Sequence, residues 1–364
     1  MSGSTPAATR LVELVRTDVT ELLADFAHLT ADSKTADSTI GVPEFTQRLR
    51  DYVLRLGSMR RTRVAAHTLD NFRRTDEATV LALAHTCAAL ELFHAAALIH
   101  DDIIDESPTR RGNPAFHTGW GDTADRSPTS VSLGVTAGLL GGDAVLVLCA
   151  RAIDRIASPV RERVSGFFQE IQLRTLVGEL QDSMLEHRRI RHDRATITQM
   201  SVNKTAWYTV TAPMVLAARC ANIEQQRTGA LIGAGSAYGE AFQLLDDVNE
   251  VLTDAALTGK NPLDDLNSGK ATLLHHIVAT HATPAERAVL DRIYGRGNGS
   301  ARDLERYRLL VTAHGQHICA ELEALMNRAR SHLRSVGFRD DTVGRIEDEL
   351  NPHNPFPVTL YESA

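Results

Sequence analysis

The sequence is poor in cysteine, proline and aromatic residues, and these shortages narrow the class of protein. Only 5% of its 364 residues are aromatic, and four are cysteine. The cysteines are scattered, lack any CxxC spacing and lie in apolar helical contexts; they are Cys87, Cys149, Cys220 and Cys319. This usage predicts buried, reduced thiols and a cytoplasmic protein.

Basic charge is not in excess either. Asp and Glu number 46 against 39 Lys and Arg, which gives a net charge of -7. The sequence therefore predicts no nucleic-acid partner. The first ten residues are small and polar and acidic residues follow soon after, so we expect no signal peptide.

Long uninterrupted apolar runs are also missing. The nearest is Val131–Ala152, which contains Asp143 and is diluted by Ser132 and Thr136. A charged residue inside a lipid-facing span is costly, so this run predicts a buried helix and no transmembrane segment.

What the chain does have is helical periodicity. Apolar residues recur at spacings of three and four from about Thr9 onward, and runs of alternating β-branched residues are almost absent. The 12 prolines fall mostly between the periodic segments. We predict an all-α fold, a single large helical bundle with a central cavity. Residues 1–44 form an N-terminal helix and polar linker, 45–350 the helical domain, and 351–364 a tail.

A group of three carboxylates ends one periodic segment. Residues 94–112 run HAAALIHDDIIDESPTRRG. On a helix, Asp101 and Asp105 share one face about 6 Å apart along the axis, with Asp102 beside them. Carboxylates this close repel unless a cation neutralises them, and hard oxygen ligands favour Mg²⁺. By itself the motif fits a solvated acidic turn equally well.

A second acidic group favours the metal interpretation. Residues 242–250 run FQLLDDVNE, which places Asp246 and Glu250 one turn apart with Asp247 adjacent. Two apolar helices that each end in such a group suit a bundle whose inner cavity carries metal on facing walls.

Basic residues flank these groups and suit a diphosphate, because guanidinium forks and ammonium groups pair with phosphate oxygens. They are Arg60, Arg61, Arg63, Arg110, Arg111, Lys204, Lys260 and Lys270.

With these motifs in this order, the chain resembles the trans-isoprenyl diphosphate synthases, the polyprenyl synthetase family, from about Leu54 to Leu274. The first acidic group with Arg110-Arg111-Gly112 and the second in its FQxxDD setting match the two aspartate-rich motifs. Further matches are Lys204-Thr205, Gln243, Gly259-Lys260, Asp265 and Gly269-Lys270.

Three positions depart from the family pattern. The family's GGKRxRP stands here as Ser58 to Val64, with Arg60 for the usual lysine and Arg63 retained. Glu250 replaces the last aspartate of the second motif. The family's Gly-Gln-x-x-Asp is Gly178-Glu179-Leu180-Gln181-Asp182, and the sequence assigns no role to Glu179.

The resemblance implies head-to-tail condensation of isopentenyl diphosphate with an allylic diphosphate (dimethylallyl, geranyl or farnesyl) and Mg²⁺ as cofactor. It implies metal binding by Asp101, Asp105, Asp246, Asp247 and Glu250, with Asp102 as a further catalytic carboxylate. It further implies that Arg110, Lys204 and Lys270 stabilise the charge on the allylic leaving group, and that Lys260 is another substrate-binding residue. Arg60, Arg63, His94 and Arg111 are implied to bind isopentenyl diphosphate. The dipoles of Thr205 and Gln243 are implied to stabilise the carbocation.

Product length depends on residues before Asp101. Ala96 and Ala97 lie one turn earlier, where a bulky aromatic in the family stops the product at farnesyl length, and Phe93 lies about two turns earlier. We therefore expect geranylgeranyl diphosphate or a longer product.

Two alternatives remain open at this stage. A class I terpene cyclase shares the fold and magnesium but normally carries a different second metal motif. A non-catalytic partner subunit retains the fold but loses carboxylates. The resemblance also implies a homodimer.

Overall fold

The computed structural model describes residues 5–31, 41–74, 76–110, 112–120, 128–187, 193–253 and 263–350. Most of these residues are helical, and in this part of the chain the strands amount to one two-residue pair. The all-α prediction is therefore confirmed. The predicted tail 351–364 and most of the predicted linker lie outside the described residues.

The chain divides into two compact units. The first comprises Met1–Gln169 with Pro213–Ile223, and the second comprises Glu170–Ala212 with Glu224–Ala364. A single domain over 45–350 with a central cavity stays a prediction.

The first unit is built on long helices joined by short turns. Its elements are α1 Pro6–Ala31, α2 Val42–Val53, α3 Arg60–Asn71, α4 Glu77–Ile104, the pair β1 Thr109–Arg110 and β2 Asn113–Pro114, a 3₁₀ helix Phe116–Gly119, α5 Pro128–Asp154, the start of α6 Val160–Glu186, and most of α8 Ala212–Cys220. The two strands pair antiparallel.

Helix α4 is the central element of this unit. Its start is fixed by Asp76, whose side chain accepts a hydrogen bond from the Thr79 N–H at 3.0 Å. Alanine and leucine lie on all of its faces, and α1, α3 and α5 pack around it. Its most apolar 18-residue window, with mean hydropathy 1.5, is 78% buried. The α4 segment is thus long and apolar enough to cross a membrane, but core helices commonly are.

Helix α5 confirms the predicted helix over Val131–Ala152 but is buried on one side only. Its most apolar window has mean hydropathy 1.9 and is 44% buried. Several large apolar side chains along it are about half exposed or more: Val131, Leu133, Leu139, Leu140 and Val147. The four cysteines, two of them on α4 and α5, are buried as predicted. The cytoplasmic location stays a prediction.

The second unit contains more and shorter helices. Its elements are the remainder of α6, α7 Arg194–Ser201, a π-helix Val202–Thr211, α9 Gln225–Leu252, α10 Leu263–Ser268, α11 Leu273–His281, α12 Pro284–Ile293, α13 Ala301–Ala313, α14 Gly315–Ser335 and α15 Asp340–Leu350.

The core of this unit forms where α9 packs against α14 and the π-helix. Helices α12 and α13 begin with capping boxes, Thr283 with Glu286 and Ser300 with Asp303. These reciprocal hydrogen bonds satisfy the first backbone N–H groups and set where each short helix starts.

A buried ion pair joins α3 to α4 in the first unit. The side chains of Arg61 and Glu91 are 8% and 1% exposed, and Arg61 Nη2 lies 3.2 Å from Glu91 Oε2. The Thr62 hydroxyl donates to the other Glu91 oxygen at 3.0 Å. The Arg61 side chain is therefore directed into the core, where it pairs with Glu91. It is not placed to bind phosphate, which is the role predicted for its neighbours Arg60 and Arg63.

Replacing Arg61 should leave Glu91 as a buried charge without its cation. We expect Arg61→Met to lower the free energy of unfolding by about 3 kcal/mol, and Arg61→Met with Glu91→Leu to recover most of that loss. The measurement is urea unfolding followed by circular dichroism. As a control, Glu77→Gln removes the exposed partner of Arg10 and should cost less than about 1 kcal/mol. Equal losses in all three proteins would contradict the assignment.

Candidate active site

The first acidic group lies where α4 ends. Asp101 is in the last turn and half-buried, Asp102 is fully buried, and Asp105 caps the helix and is exposed. The Asp105 N–H donates to the Asp101 carbonyl at 2.8 Å. A carboxylate oxygen of Asp101 lies within 4.8 Å of one of Asp105. The helical spacing thus places these two carboxylates together, as predicted.

Asp102 has a different environment. Arg110, on β1, donates from Nε to Asp102 Oδ1 and from Nη2 to Asp101 Oδ2, both at 2.7 Å. The Tyr52 hydroxyl donates to Asp102 Oδ2 at 3.5 Å. Burial raises the pKa of Asp102 to about 6, against the opposing effect of Arg110. Asp102 therefore orients Arg110, which in turn orients Asp101.

The pKa of Arg110 is raised as well. Burial alone would lower the pKa of this guanidinium, but the bonds to Asp102 and Asp101 outweigh it. Arg110 is thus a fixed cation beside the acidic group. Tyr52 was missed in the sequence analysis, and no local pattern points to it, because it lies 50 residues from Asp102.

The other basic residues predicted in this unit lie on α3 and α4. Arg60 begins α3 and is half-buried; Arg63, also half-buried, donates from Nε to the Ser58 carbonyl at 3.0 Å. His94 is half-buried on α4. Arg111 lies outside the described residues.

The three residues predicted to set product length differ in packing. Phe93 is 3% exposed and meets Phe168 edge-on, with ring centroids 6.4 Å apart. Ala96 is fully buried, whereas Ala97 is half-buried. A larger side chain at Ala96 would therefore displace its neighbours, whereas part of the Ala97 side chain is accessible.

The second acidic group lies near the end of α9. Asp246 is exposed, whereas Asp247 and Glu250 are buried. Gln243, one turn earlier, donates from Nε2 to Asp247 Oδ1 at 2.8 Å. This bond holds the Asp247 carboxylate in place.

A cavity in the second unit gathers the residues predicted there. It encloses about 530 Å³ of empty space, part of it open to solvent. Its polar lining comes from α6, α7, the π-helix, α9 and the segment before α11, and consists of Asp182, Ser201, Lys204, Thr205, Gln243, Asp247, Glu250, Lys270 and Thr272. Of the residues predicted for this unit, Asp246 does not line the cavity, and Lys260 lies outside the described residues.

Lys204 is held by two carboxylates of α6. Its Nζ donates to Asp182 Oδ2 at 2.7 Å and to Glu179 Oε1 at 3.0 Å. Lys270 Nζ lies 3.9 Å from the same Asp182 oxygen. The Gly-Glu-x-x-Asp segment pointed to these two acidic residues, but their partner was not predictable from spacing alone.

Tight packing of glycine fixes the π-helix that carries Lys204 and Thr205. A Cβ at Gly178 of α6 would lie 2.2 Å from the backbone nitrogen of Lys204, and a Cβ at Gly239 of α9 would lie 2.0 Å from the Ala206 Cβ. Only a residue without a side chain lets α6 and α9 approach the π-helix this closely.

Lys270 is placed by its own segment. The Tyr294 hydroxyl donates to the Lys270 carbonyl at 2.6 Å, and Tyr294 stacks on His275 with ring centroids 3.5 Å apart. Gly269 before it has φ +70°, a backbone conformation that favours glycine.

Comparison with known proteins gives consistent matches. A sequence profile described as polyprenyl synthetase matches residues 43–310. Geranylgeranyl diphosphate synthase of Mycobacterium tuberculosis is 32% identical over 244 residues, 64% of this chain and 64% of that protein. Octaprenyl diphosphate synthase of Escherichia coli is 27% identical over 246 residues, 66% of this chain and 68% of that protein. The chain thus spans about two thirds of these relatives.

The fold is shared over a longer stretch. A crystal structure of geranylgeranyl pyrophosphate synthase from Corynebacterium glutamicum, complexed with isoprenyl diphosphate and magnesium, superposes with a TM-score of 0.81 at 27% identity. The match covers 94% of this chain and 97% of that one.

The packing at Gly178 gives a direct test of the site. Gly178→Ala should displace the backbone of Lys204 and weaken binding of inorganic diphosphate with magnesium by about tenfold, the effect of misplacing one charged hydrogen bond. Calorimetric titration measures this. Gly166→Ala on the same helix, where a Cβ meets nothing within 4 Å, is the control. Equal affinity in both variants would show that Gly178 does not position Lys204.

Proposed function

The chain belongs to the polyprenyl synthetase family and is a prenyltransferase, and on that premise we propose its substrates and product. It condenses isopentenyl diphosphate head to tail with an allylic diphosphate (dimethylallyl, geranyl or farnesyl). Its product is geranylgeranyl diphosphate or a longer polyprenyl diphosphate.

The observation that carries this proposal is the cavity of the second unit. Two lysines, three carboxylates and the neutral side chains of Thr205 and Gln243, from segments far apart in sequence, line one space. Lys204 and Lys270 supply positive charge for a diphosphate, and Thr205 and Gln243 supply oriented dipoles. A leaving group that departs as a multiply charged anion needs such preorganised cations.

Magnesium fits the carboxylates present. The ligands offered are hard oxygens, and those of Asp101 and Asp105 lie near enough to serve one ion. We assign metal binding to Asp101 and Asp105 in the first unit and, independently, to Asp246, Asp247 and Glu250 in the second. When bound, the ion supplies Lewis-acid stabilisation of the departing diphosphate.

The remaining roles follow from charge and placement. Arg110 is held as a cation by Asp101 and Asp102 and would bind the allylic diphosphate, and Lys260 would add charge to it. Arg60, Arg63, His94 and Arg111 would bind isopentenyl diphosphate. Arg60 keeps the charge of the family's lysine but offers a planar fork in place of a single ammonium group.

A product assay tests the proposal. The purified protein is given isopentenyl diphosphate and magnesium with dimethylallyl, geranyl or farnesyl diphosphate in turn, and the dephosphorylated products are sized by chromatography. We expect linear geranylgeraniol or longer alcohols. No elongation with any primer would indicate a partner subunit, and a cyclic hydrocarbon from one primer would indicate a terpene cyclase; either outcome contradicts the proposal.

Product length can be tested at Ala97. Ala97→Phe should shorten the main product by one or more isoprene units, because a ring at this half-buried position would fill space beneath the growing chain. Chromatography of the products measures the change. Leu81→Phe, at a 44% exposed position of the same helix, should leave product length unchanged. A product unaltered by Ala97→Phe would show that Ala97 does not limit product length.

We also propose that the enzyme is a homodimer. Helix α6 exposes an apolar stripe at helical spacing, with Leu173 64%, Leu176 56%, Val177 50% and Leu180 56% exposed. Contiguous apolar surface of this kind commonly marks a site of protein–protein interaction. The stripe has no charge to attract a different partner, so a second copy of the same stripe is its simplest complement.

The stripe makes the dimer testable. Leu176→Lys with Leu180→Lys should convert a dimer into a monomer, measured by size exclusion with light scattering, because paired stripes would bury like charges. Leu309→Lys, at an exposed leucine on α13 (63% exposed), is the control and should stay dimeric. A wild-type protein that runs as a monomer would refute the homodimer.

A further inference from the structure

Glu179 departs from the family pattern, and the proposed function gives it no role. It stands where the family has glutamine, one residue after Gly178 on α6. Its carboxylate accepts a hydrogen bond from Lys204 Nζ at 3.0 Å, with the lysine side chain 16% and the glutamate side chain 20% exposed. Glu179 therefore adds a mostly buried negative charge next to a residue proposed to bind diphosphate.

The neutral residues of the segment are engaged elsewhere. Asn203 Nδ2 donates to Gln181 Oε1 at 3.0 Å, and Gln199 donates to Asn203 at 3.1 Å. The side-chain amides thus bond to one another, and the carboxylates of Glu179 and Asp182 accept hydrogen bonds from Lys204. Glu179 and Asp182 together engage two of the three donors of the Lys204 ammonium group.

The charge balance follows. Lys204 and Lys270 contribute two positive charges, and Glu179 and Asp182 contribute two negative charges, so this group of four is neutral. With the family's glutamine at position 179, the same group would carry one net positive charge. At separations of a few ångströms and this degree of burial, one unit of charge alters the binding of an anion substantially.

We propose that Glu179 is a positioning residue that holds Lys204 against α6 and removes one positive charge from the diphosphate subsite. As a result the subsite discriminates against diphosphate that is not neutralised by magnesium, and it releases inorganic diphosphate more readily after each condensation. This inference rests on the proposed function, because it takes the diphosphate of the allylic substrate as the ligand of Lys204.

Glu179→Gln, the family residue, is the direct test. The variant keeps an oxygen acceptor for Lys204, and Asp182 stays as its counter-charge, so folding should be retained. We expect inorganic diphosphate in EDTA to bind on the order of tenfold more tightly than to wild type, with a smaller gain when magnesium is present. Calorimetric titration under both conditions measures this. The KM for the allylic diphosphate should fall while kcat does not rise.

Two further variants separate charge from structure. Glu179→Asp keeps the charge and should bind metal-free diphosphate as weakly as wild type. Glu170→Gln removes the same charge from an exposed position on α6, where Glu170 pairs with Arg174 at 2.8 Å, and should leave affinity within about twofold. Metal-free affinity that is unchanged or lower in Glu179→Gln, or an equal gain in Glu170→Gln, would overturn the inference.

The product assay of the wild type distinguishes a failure of this inference from a failure of the proposed function. If the wild type elongates primers but Glu179→Gln binds metal-free diphosphate no better, the inference fails and the proposed function stands. If the wild type elongates no primer, the proposed function fails and the role of Glu179 in prenyl transfer falls with it, whatever the titrations show.

Discussion

The structure depends on one electrostatic constraint: a carboxylate buried among apolar helices needs a cation. Moving an ionised group out of water costs several kcal/mol unless a counter-charge and hydrogen bonds compensate. Asp102 is compensated by Arg110, Glu91 by Arg61, and Asp182 by Lys204. Two of these cations, Arg110 and Lys204, are thereby held where we propose that diphosphate binds, whereas the pair of Arg61 with Glu91 lies in the core.

Helix geometry determines where these charges stand. The end of α4 presents Asp101 and Asp105 on one face, and the end of α9 presents Asp247 and Glu250 beside Gln243. A π-helix, whose backbone hydrogen bonds reach one residue further than those of an α-helix, carries Lys204 and Thr205. Glycines on both neighbouring helices let it pack closely. The backbone that carries Lys204 and Thr205 is therefore positioned by close packing as well as by charge.

Glu250 shows how the second acidic group tolerates a departure from its motif. The residue is buried and lines the cavity with Asp247. Glutamate keeps the charge of the usual aspartate, and the helix places its longer side chain one turn beyond Asp246. The change therefore keeps the donor type required by magnesium, which takes hard oxygen ligands.

Much of this was predictable from sequence because the signals are local. Periodicity gave the helices, and a spacing of four residues placed Asp101 with Asp105. Pairings between distant segments were not predictable. They are the ion pair of Arg61 with Glu91, the hydrogen bond from Tyr52 to Asp102, and the hydrogen bond from Lys204 to Glu179. Each of these pairings is set by tertiary packing between residues at least 25 positions apart in the sequence, which periodicity does not encode. The one-sided burial of α5 was missed for the same reason, since its composition resembles that of α4, whose most apolar window is 78% buried.

The central claim is the proposal that this protein binds an allylic diphosphate together with magnesium. Its most direct test is calorimetric titration of the wild-type protein with an allylic thiodiphosphate, which resists ionisation, in magnesium and again in EDTA. The account predicts tight binding with magnesium and a loss of at least about tenfold without it, because the acidic groups then repel the ligand. Equal affinity under the two conditions would contradict it.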